Sequence, residues 1–382
     1  MDKNRINAYI EENRALAFQM MRELCAIPAP SHHEEARAAY CKEWLEKAGA
    51  EGVYIDDALN VIFPYQCEKS SAITVFAAHT DTVFPDLEPM PYLDDGEKIH
   101  SPGAADDTAS VVVLLLMAKY FMEHKIASKD GILFVCNSCE EGLGNLKGTR
   151  QLFADYSGRI ARFITFDSNL DTLNDRCVGS HRYEVEVITE GGHSYGAFGN
   201  ENAINELAGI IRAIYEIEVP QKANTRTTYN VGTVSGGTSV NTIAQSAKML
   251  CEYRSDDPEC LAYMQEKFER IFAEAENEGV KLNVRKVGDR PCGIVPDEAI
   301  EMLKMLAVPV IEEEIGKKVR FASSSTDCNI PLSLGIPAIC IGTNTHAGIH
   351  TREEWVDKES IIKGLRIALG IGEKTAVLQR RA

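Results

Sequence analysis

Acidic and imidazole side chains follow the apolar runs of this sequence at regular intervals. The runs are AITVFAA, GILFVCNS and RFITF, and a helical segment lies between the first two. Each residue of the group follows a run within three residues or opens that helix: His79 and Asp81, Asp106 and Asp107, Glu140 and Glu141, and Asp167. The spacings are 25 residues from Asp81 to Asp106, 34 from Asp106 to Glu140 and 27 from Glu140 to Asp167. Each spacing is about one strand–helix unit.

These residues are expected to converge on one rim of a sheet. In open α/β sheets, sites form beyond the carboxyl ends of the strands. A cluster of His, Asp and Glu without Lys or Arg requires cations, and this mixture suits zinc, manganese or cobalt. The carboxylates outnumber those that one zinc needs. The set therefore fits two metals ~3.5–4 Å apart, bridged by a carboxylate and a water.

Each part of the group has a simpler interpretation when it is taken alone. A strand-ending histidine is often structural, and a Glu-Glu pair on a surface loop is usually solvated. An Asp-Asp pair before a helix commonly caps that helix. Four strand ends that carry only metal-ligand types are improbable together, so the pattern favours a metal site.

The elements that must position the group alternate between helices and strands. A helix over 3–25 stops at the prolines of IPAPS, and a capping box of Ser31 and Glu34 opens a second helix that ends at Gly49. Nearly continuous apolar strands then alternate with helices, which predicts an α/β sheet buried on both faces. The predicted segments are strands 131–138 and 162–167 and helices 107–123 and 146–155.

The pattern changes after about residue 177. HRYEVEVIT alternates like a half-exposed strand, and the elements that follow have the order β-α-β-β-α-β of a ferredoxin-like unit. A helix over 297–315 and strands near 319–322 and 337–341 then return to the first style. We therefore predict a discontinuous large domain, 1–176 and 294–382, with a small inserted domain, 177–293.

The overall composition excludes several classes of partner. The formal net charge of −17 argues against a nucleic-acid partner. No apolar run approaches the ~20 residues of a membrane span, and the charged N-terminal sequence does not resemble a signal peptide, so we expect a cytoplasmic protein without a membrane partner. The eleven cysteines lack framework spacing, and Cys136 and Cys139 are interpreted as buried thiols.

Ordered motifs over nearly the whole chain resemble the zinc-dependent exopeptidase family that includes peptidase T, glutamate carboxypeptidase and the aminoacylases. The motifs are HTDTVF (79–84), GAADDTAS (103–110), CEEGLGNLKG (139–148), GGHSYGAFGNENAI (191–204), TDCNIPLSLGIPAI (326–339) and HAGIHTREEWV (346–356). The resemblance implies a phosphorylase/hydrolase-like mixed-sheet catalytic domain with an inserted ferredoxin-like α+β dimerisation (lid) domain.

The resemblance also implies a set of metal ligands. His79 and Asp167 become ligands of one metal, and Glu141 and His350 become ligands of the other. Asp106 becomes the bridging carboxylate. The implied cofactors are two zinc ions, with cobalt or manganese as alternatives.

Three further features near the metals follow from the same resemblance. Glu140 becomes the general base that takes a proton from the attacking water. Asp81 becomes the carboxylate that orients His79. The peptide bond between Asp106 and Asp107 is expected to be cis.

The resemblance assigns three residues of the small domain to substrate. His193, supplied from the partner subunit of a homodimer, would help to hold the oxyanion. Arg254 and Asn241 match positions that hold a substrate carboxylate. A surface ion pair explains Arg254 almost as well, and His193 could be a loop histidine without a role.

The function implied is metal-dependent hydrolysis of di- or tripeptides by a peptidase T-like exopeptidase. Asp167 favours that branch, since carboxypeptidase-like members often have Glu there. An N-acyl-amino-acid amidohydrolase or a carboxypeptidase with the same di-zinc site remains open. A catalytically silent metal-binding protein is a third hypothesis, which the intact Glu140 argues against.

Overall fold

The computed structural model describes residues 2–68, 70–277 and 279–378. These residues form two compact units. The large unit contains the chain up to Cys177 and from Val295 onward, and the small unit is Val178–Ile294.

The helices and strands are numbered along the chain. The helices are α1 (Lys3–Cys25), α2 (Glu35–Lys47), α3 (Ala109–Glu123), α4 (Lys147–Asp155), α5 (Ala203–Tyr215), α6 (Pro258–Ala275), α7 (Asp297–Ile315), α8 (Asn329–Ser333) and α9 (Lys358–Ala376). The strands of the large unit are β1 (Tyr54–Ile55), β2 (Val61–Tyr65), β3 (Ile73–His79), β4 (Leu93–Asp94), β5 (Lys98–His100), β6 (Gly131–Asn137), β7 (Ile160–Phe166), β8 (Thr172–Cys177), β15 (Arg320–Ser324), β16 (Ala338–Ile341), β17 (His346–Ala347) and β18 (Trp355–Asp357). Those of the small unit are β9 (Gly179–Thr189), β10 (Gly192–His193), β11 (Thr227–Gly236), β12 (Thr242–Ile243), β13 (Ser246–Ser255) and β14 (Val280–Arg290).

The large unit is built on an eight-stranded mixed sheet with the order β1-β2-β6-β3-β7-β16-β8-β15. Its central strands β6, β3, β7 and β16 are parallel, while β2 is antiparallel to β6 and β8 is antiparallel to β16. The edge strand β15 is parallel to β8. Every residue of β3 and β6 is buried, as expected for strands covered on both faces. The α/β fold class predicted from the sequence is confirmed. Because the central strands are parallel, their carboxyl ends lie at one edge of the sheet.

Helix α3 forms the centre of the layer that covers this sheet. Its sequence ASVVVLLLMA is apolar on all sides, and it contacts α1, α9 and β3. A short turn, Ala104–Thr108, leads into α3 and carries the Asp-Asp pair, whose backbone is not helical. Because α3 is buried, it fixes where these two aspartates lie at the edge of the sheet.

A second, four-stranded sheet of the large unit has the order β17-β18-β5-β4. Strands β17 and β18 are antiparallel and are joined by a loop that contains His350 and Glu354. The ammonium group of Lys98 lies 3.6 Å from the centre of the Trp355 ring, a cation–π contact between β5 and β18. This small sheet anchors the loop on both sides.

The small unit has the order β-α-β-β-α-β in β9, α5, β11, β13, α6 and β14. Its antiparallel sheet has the order β11-β13-β9-β14, which is the ferredoxin-like topology that the sequence pattern predicts. The apolar side of the sheet packs on α5 and α6 through a core that includes Val185, Met249 and Phe268.

The structure differs from the sequence prediction in two places. Ser31 and Glu34 do not form a capping box, because the Ser31 hydroxyl donates to Asp81 and the Glu34 carboxylate accepts the N–H of Cys139. Helix α9 was not predicted, because three glycines interrupt its sequence and lower its helix propensity.

The chain's cysteines, which all lie in the described ranges, form no disulfide, and ten of the eleven are buried. None of the helices in those ranges combines the length and apolar character that crossing a bilayer requires.

Candidate metal centre

His79 and Asp106 form one half of the site. His79 is the last residue of β3, and its Nδ1 lies 3.1 Å from the carbonyl oxygen of Asp81. Because a carbonyl oxygen can only accept, Nδ1 carries the proton of this hydrogen bond. Nε2 of His79 faces Oδ1 of Asp106 at 3.0 Å and is the nitrogen available to a metal.

The second oxygen of Asp106 faces another imidazole. Oδ2 of Asp106 lies 3.1 Å from Nε2 of His350, which also lies 3.2 Å from Oε1 of Glu141. One carboxylate thus stands between two imidazoles, each opposite a different oxygen. This is the arrangement that a bridging carboxylate needs. The peptide bond from Asp106 to Asp107 is cis.

Glu140 and Asp167 complete the cluster. One potential ligand atom each of His79, Glu140 and Asp167 lies within 4.8 Å of the others, and the same holds for His79, Asp106 and Glu141. Asp167 directly follows β7, and the two glutamates follow β6 after Ser138 and Cys139. The structure therefore brings together six predicted residues at the carboxyl edge of the parallel strands: His79, Asp106, Glu140, Glu141, Asp167 and His350.

Asp81 is fully buried and fixes the turn that carries both glutamates. Its Oδ1 accepts the N–H of Glu140 and its Oδ2 accepts the N–H of Glu141, both at 2.9 Å. Its Oδ1 also lies 3.4 Å from Nδ1 of His79. Burial alone would raise the pKa of Asp81, but its contacts with His79 and Ser31 lower that pKa overall. Asp81 therefore orients both the imidazole and the glutamate turn.

The carboxylates of the cluster outnumber its imidazoles and repel one another. Burial first, and then the charge of Asp106, raises the pKa of both Asp167 and Glu141. The pKa of His350 is raised to about 10 by its hydrogen bonds to Asp106 and Glu141. Burial lowers the pKa of His79, yet the surrounding carboxylates raise it overall. The site is an excess of negative charge that divalent cations would compensate.

The donor set fits two cations. His79 and His350 face different oxygens of the shared Asp106 carboxylate. Asp167 groups with His79, while Glu141 lies against His350 and also groups with His79 and Asp106. Imidazole nitrogen mixed with carboxylate oxygen is a ligand set that zinc, cobalt and manganese accept.

Glu354 is a residue of the site that the sequence did not reveal. Its carboxylate is buried and accepts the N–H groups of Gly103, Ala105 and Asp106. Burial raises the pKa of Glu354 to about 7. Its adjacent glutamate, Glu353, is exposed, and nothing in the HTREEW sequence distinguishes the buried member of the pair.

His193 and Asn241 lie on adjacent segments of the small unit. His193 ends β10, which pairs with β12, and the N–H of Ser194 donates to the carbonyl of Asn241 at 3.0 Å. Nδ1 of His193 accepts the N–H groups of Tyr195 and Gly196, each at 3.3 Å. In the neutral ring the proton is therefore on Nε2, which is available as a donor.

Arg254 lies on β13 and forms the ion pair that was the simpler interpretation of this residue. Its Nε and Nη2 donate to the two carboxylate oxygens of Glu252 at 2.8 and 3.1 Å. Arg182 donates to the same carboxylate at 3.2 Å. The Nε/Nη2 edge of the Arg254 guanidinium is thus occupied by Glu252.

The model of the peptidase family M20/M25/M40 matches residues 75–374. A Mycobacterium tuberculosis relative, provisionally named a succinyl-diaminopimelate desuccinylase, is 25% identical over 349 residues, 89% of this chain and 93% of the relative. A tripeptidase structure from Staphylococcus aureus has a TM-score of 0.75 at 22% identity and covers 95% of this chain and 99% of its own. The structure of a dinuclear metal-binding peptidase from Bacillus subtilis has a TM-score of 0.65 at 15% identity and covers 94% of this chain and 98% of its own.

The fold and the carboxylate–imidazole cluster define a metallopeptidase-type hydrolase. The chain belongs to the peptidase family M20/M25/M40. The predicted resemblance to the exopeptidase family that includes peptidase T and the prediction of a hydrolase acting on peptide bonds are confirmed.

Proposed function

We propose that this protein is a dinuclear exopeptidase that hydrolyses the amide bond of di- and tripeptides. The observation that carries the proposal is the Asp106 carboxylate between two imidazoles, with Glu140 in the same cluster. A bridging carboxylate and an adjacent glutamate supply the two requirements of this chemistry, a place for paired cations and a base.

Two zinc ions, or cobalt or manganese in their place, are the proposed cofactors. His79 and Asp167 would hold one ion, His350 and Glu141 the other, and Asp106 both. When bound, the ions would acidify water and polarise the scissile carbonyl.

The chain's own residues supply the proton transfers. Glu140 accepts the proton of the attacking water and later gives it to the leaving amine. Asp81 keeps Glu140 in place through the backbone N–H of that residue. His193 of the partner subunit donates from Nε2 to the oxyanion, because its Nδ1 is an acceptor for two backbone N–H groups.

Substrate recognition is assigned to the small unit. We propose that Arg254, with Asn241, holds a substrate carboxylate by exchanging Glu252 for the ligand. Residues 177–293 are proposed as the dimerisation and lid domain, and 1–176 with 294–382 as the catalytic domain. Edge strand β11 supports a homodimer, because one of its sides is not paired within the described sheet and its Val234 is 59% exposed.

The proposed compartment is the cytoplasm. The eleven cysteines, all within the described residues, form no disulfide, which supports this because secreted proteins usually oxidise theirs.

A second candidate function is N-acyl-amino-acid deacylation, with carboxypeptidase activity on the same site as a further variant. The relative named as a desuccinylase favours deacylation, because that name describes cleavage of an acyl amide rather than of a peptide. The metal cluster and base would be the same, and only the substrate pocket would differ.

The test is a comparison of substrates with the metal-loaded protein. Tripeptides, dipeptides, N-acetyl amino acids and N-succinyl diamino acids would be assayed with zinc, cobalt or manganese. We expect the highest kcat/KM for tripeptides with a free amino terminus. A higher kcat/KM for the N-acyl compounds would establish the second function instead, and no hydrolysis of either class would refute both.

A further inference from the structure

We propose that Glu354 is a positioning residue that sets the bridging carboxylate of Asp106 and thereby the affinity of the shared metal site. The inference rests on the proposed function, because it assumes that Asp106 bridges two cations. Glu354 itself does not reach the cluster atoms through any described contact.

The carboxylate of Glu354 binds three N–H groups of one short loop. Oε2 accepts the N–H of Gly103 at 2.9 Å, and Oε1 accepts those of Ala105 at 2.7 Å and Asp106 at 3.1 Å. The side chain is only 1% exposed, so water does not compete for these bonds. A buried carboxylate with both oxygens engaged fixes the main chain of the residue that carries the bridge.

The loop around Gly103 is shaped for close approach. Gly103 has a φ of 73°, and a Cβ at this position would lie 2.5 Å from Cγ2 of Thr82. Only glycine fits at this position, so the backbone of the loop that leads to Asp106 packs directly against Thr82.

Glu354 also ties together the two segments that carry facing ligands. It lies four residues after His350 in the loop between β17 and β18, and its carbonyl accepts the N–H of Ser101 at 3.2 Å. Its side chain binds the segment of Asp106, whose Oδ2 faces Nε2 of His350 at 3.1 Å. One residue thus links the His350 loop to the Asp106 loop through both its main chain and its side chain.

A carboxylate with a purely structural role would stabilise the fold without affecting the affinity of the site for metal. Glu373 on α9 is such a residue: it is buried and accepts hydrogen bonds from Arg5, Tyr120 and the N–H of Asp2. It belongs to the same unit and touches no residue of the metal cluster among its described partners. Glu373→Gln is therefore the matched control.

The experiment compares Glu354→Ala, Glu354→Gln and Glu373→Gln with the wild type. Each metal-free protein is titrated with Zn²⁺ against a chromophoric chelator, the Co²⁺ form is examined by visible absorption, and melting temperatures are recorded. We expect at least one Zn²⁺ affinity to fall ~10–100-fold in Glu354→Ala, with an altered Co²⁺ spectrum. Glu354→Gln should lose less Zn²⁺ affinity than Glu354→Ala, because the amide oxygen of glutamine can still accept a hydrogen bond from the loop while its nitrogen cannot.

Glu373→Gln should lower the melting temperature without changing Zn²⁺ affinity or the Co²⁺ spectrum. Wild-type affinities and spectra in both Glu354 variants would overturn the inference, as would an equal loss of affinity in Glu373→Gln. If Glu354→Ala does not fold, the Glu354→Gln titration decides. A wild-type protein that binds no metal would instead refute the proposed function, so the two failures are distinct.

Discussion

Glu140 and Glu141 are chain neighbours that face different parts of the cluster. The carboxylate of Glu141 lies against His350 and groups with His79 and Asp106, whereas Glu140 groups with His79 and Asp167. Their N–H groups bind opposite oxygens of Asp81, which holds the two residues in one rigid turn. Two adjacent carboxylates can therefore serve as a ligand and as a base.

Substitution of Glu140 by glutamine tests the separation of these roles. The amide keeps the size of the side chain but cannot accept a proton, so we expect the rate of hydrolysis to fall by ~10²–10⁴-fold. The metal content of Glu140→Gln, measured by inductively coupled plasma mass spectrometry, should remain that of the wild type. Glu141→Gln, as the companion variant, should lose metal.

The base assignment would be wrong if Glu140→Gln hydrolysed good substrates at the wild-type rate. Loss of metal in that variant with retention in Glu141→Gln would reverse the two roles.

Single residues differ in how well the sequence predicts them. His79 and Asp167 follow apolar strands, so their convergence could be inferred from the strand pattern alone. Glu354 could not, because its neighbour Glu353 is chemically identical and only the folded loop buries one of them. Arg254 could not be resolved either, because its partner Glu252 lies on the same strand and every second residue shares a face.

At the scale of elements, the parallel strands β6, β3, β7 and β16 decide where the site forms. Their apolar sequences predicted buried strands, and the alternation with helices predicted an α/β sheet. Helix α9 escaped prediction because three glycines lower its helix propensity, although Gly364 and Gly372 are sites of close packing in the fold. A Cβ on Gly364 would lie 1.7 Å from the carbonyl oxygen of Thr343, so the helix backbone touches this loop directly.

This close approach makes Gly364→Ala a strongly destabilising substitution. The new methyl group would collide with backbone atoms, which cannot rotate away, and we expect a loss of at least ~1–3 kcal/mol in the free energy of unfolding. Gly209→Ala in α5 is the matched control, because a Cβ there meets nothing within 4 Å. It should stabilise its helix by ~0.5–1 kcal/mol.

Chemical denaturation of both variants, followed by circular dichroism, would measure these changes. A Gly364→Ala protein as stable as the wild type would show that α9 does not pack on Thr343 as described.

At the scale of the whole molecule, one chain contributes two differently built units. The change from continuous apolar strands to alternating ones marks the inserted β-α-β-β-α-β segment in the sequence, and its sheet order follows the ferredoxin-like rule. The choice between peptide and N-acyl substrates could not be predicted in the same way, because the metal cluster serves both and no motif specifies the pocket. The net charge of −17 adds nothing to that choice, although it agrees with a cation-binding protein.

Anomalous diffraction from crystals grown with zinc would locate the metal ions themselves. We expect two zinc peaks per chain, ~3.5–4 Å apart, with one oxygen of Asp106 directed at each. His79 and Asp167 should surround one peak, and His350 and Glu141 the other. A chain without zinc at these residues, or with its zinc bound elsewhere, would show that the carboxylate–imidazole cluster is not a dinuclear metal site.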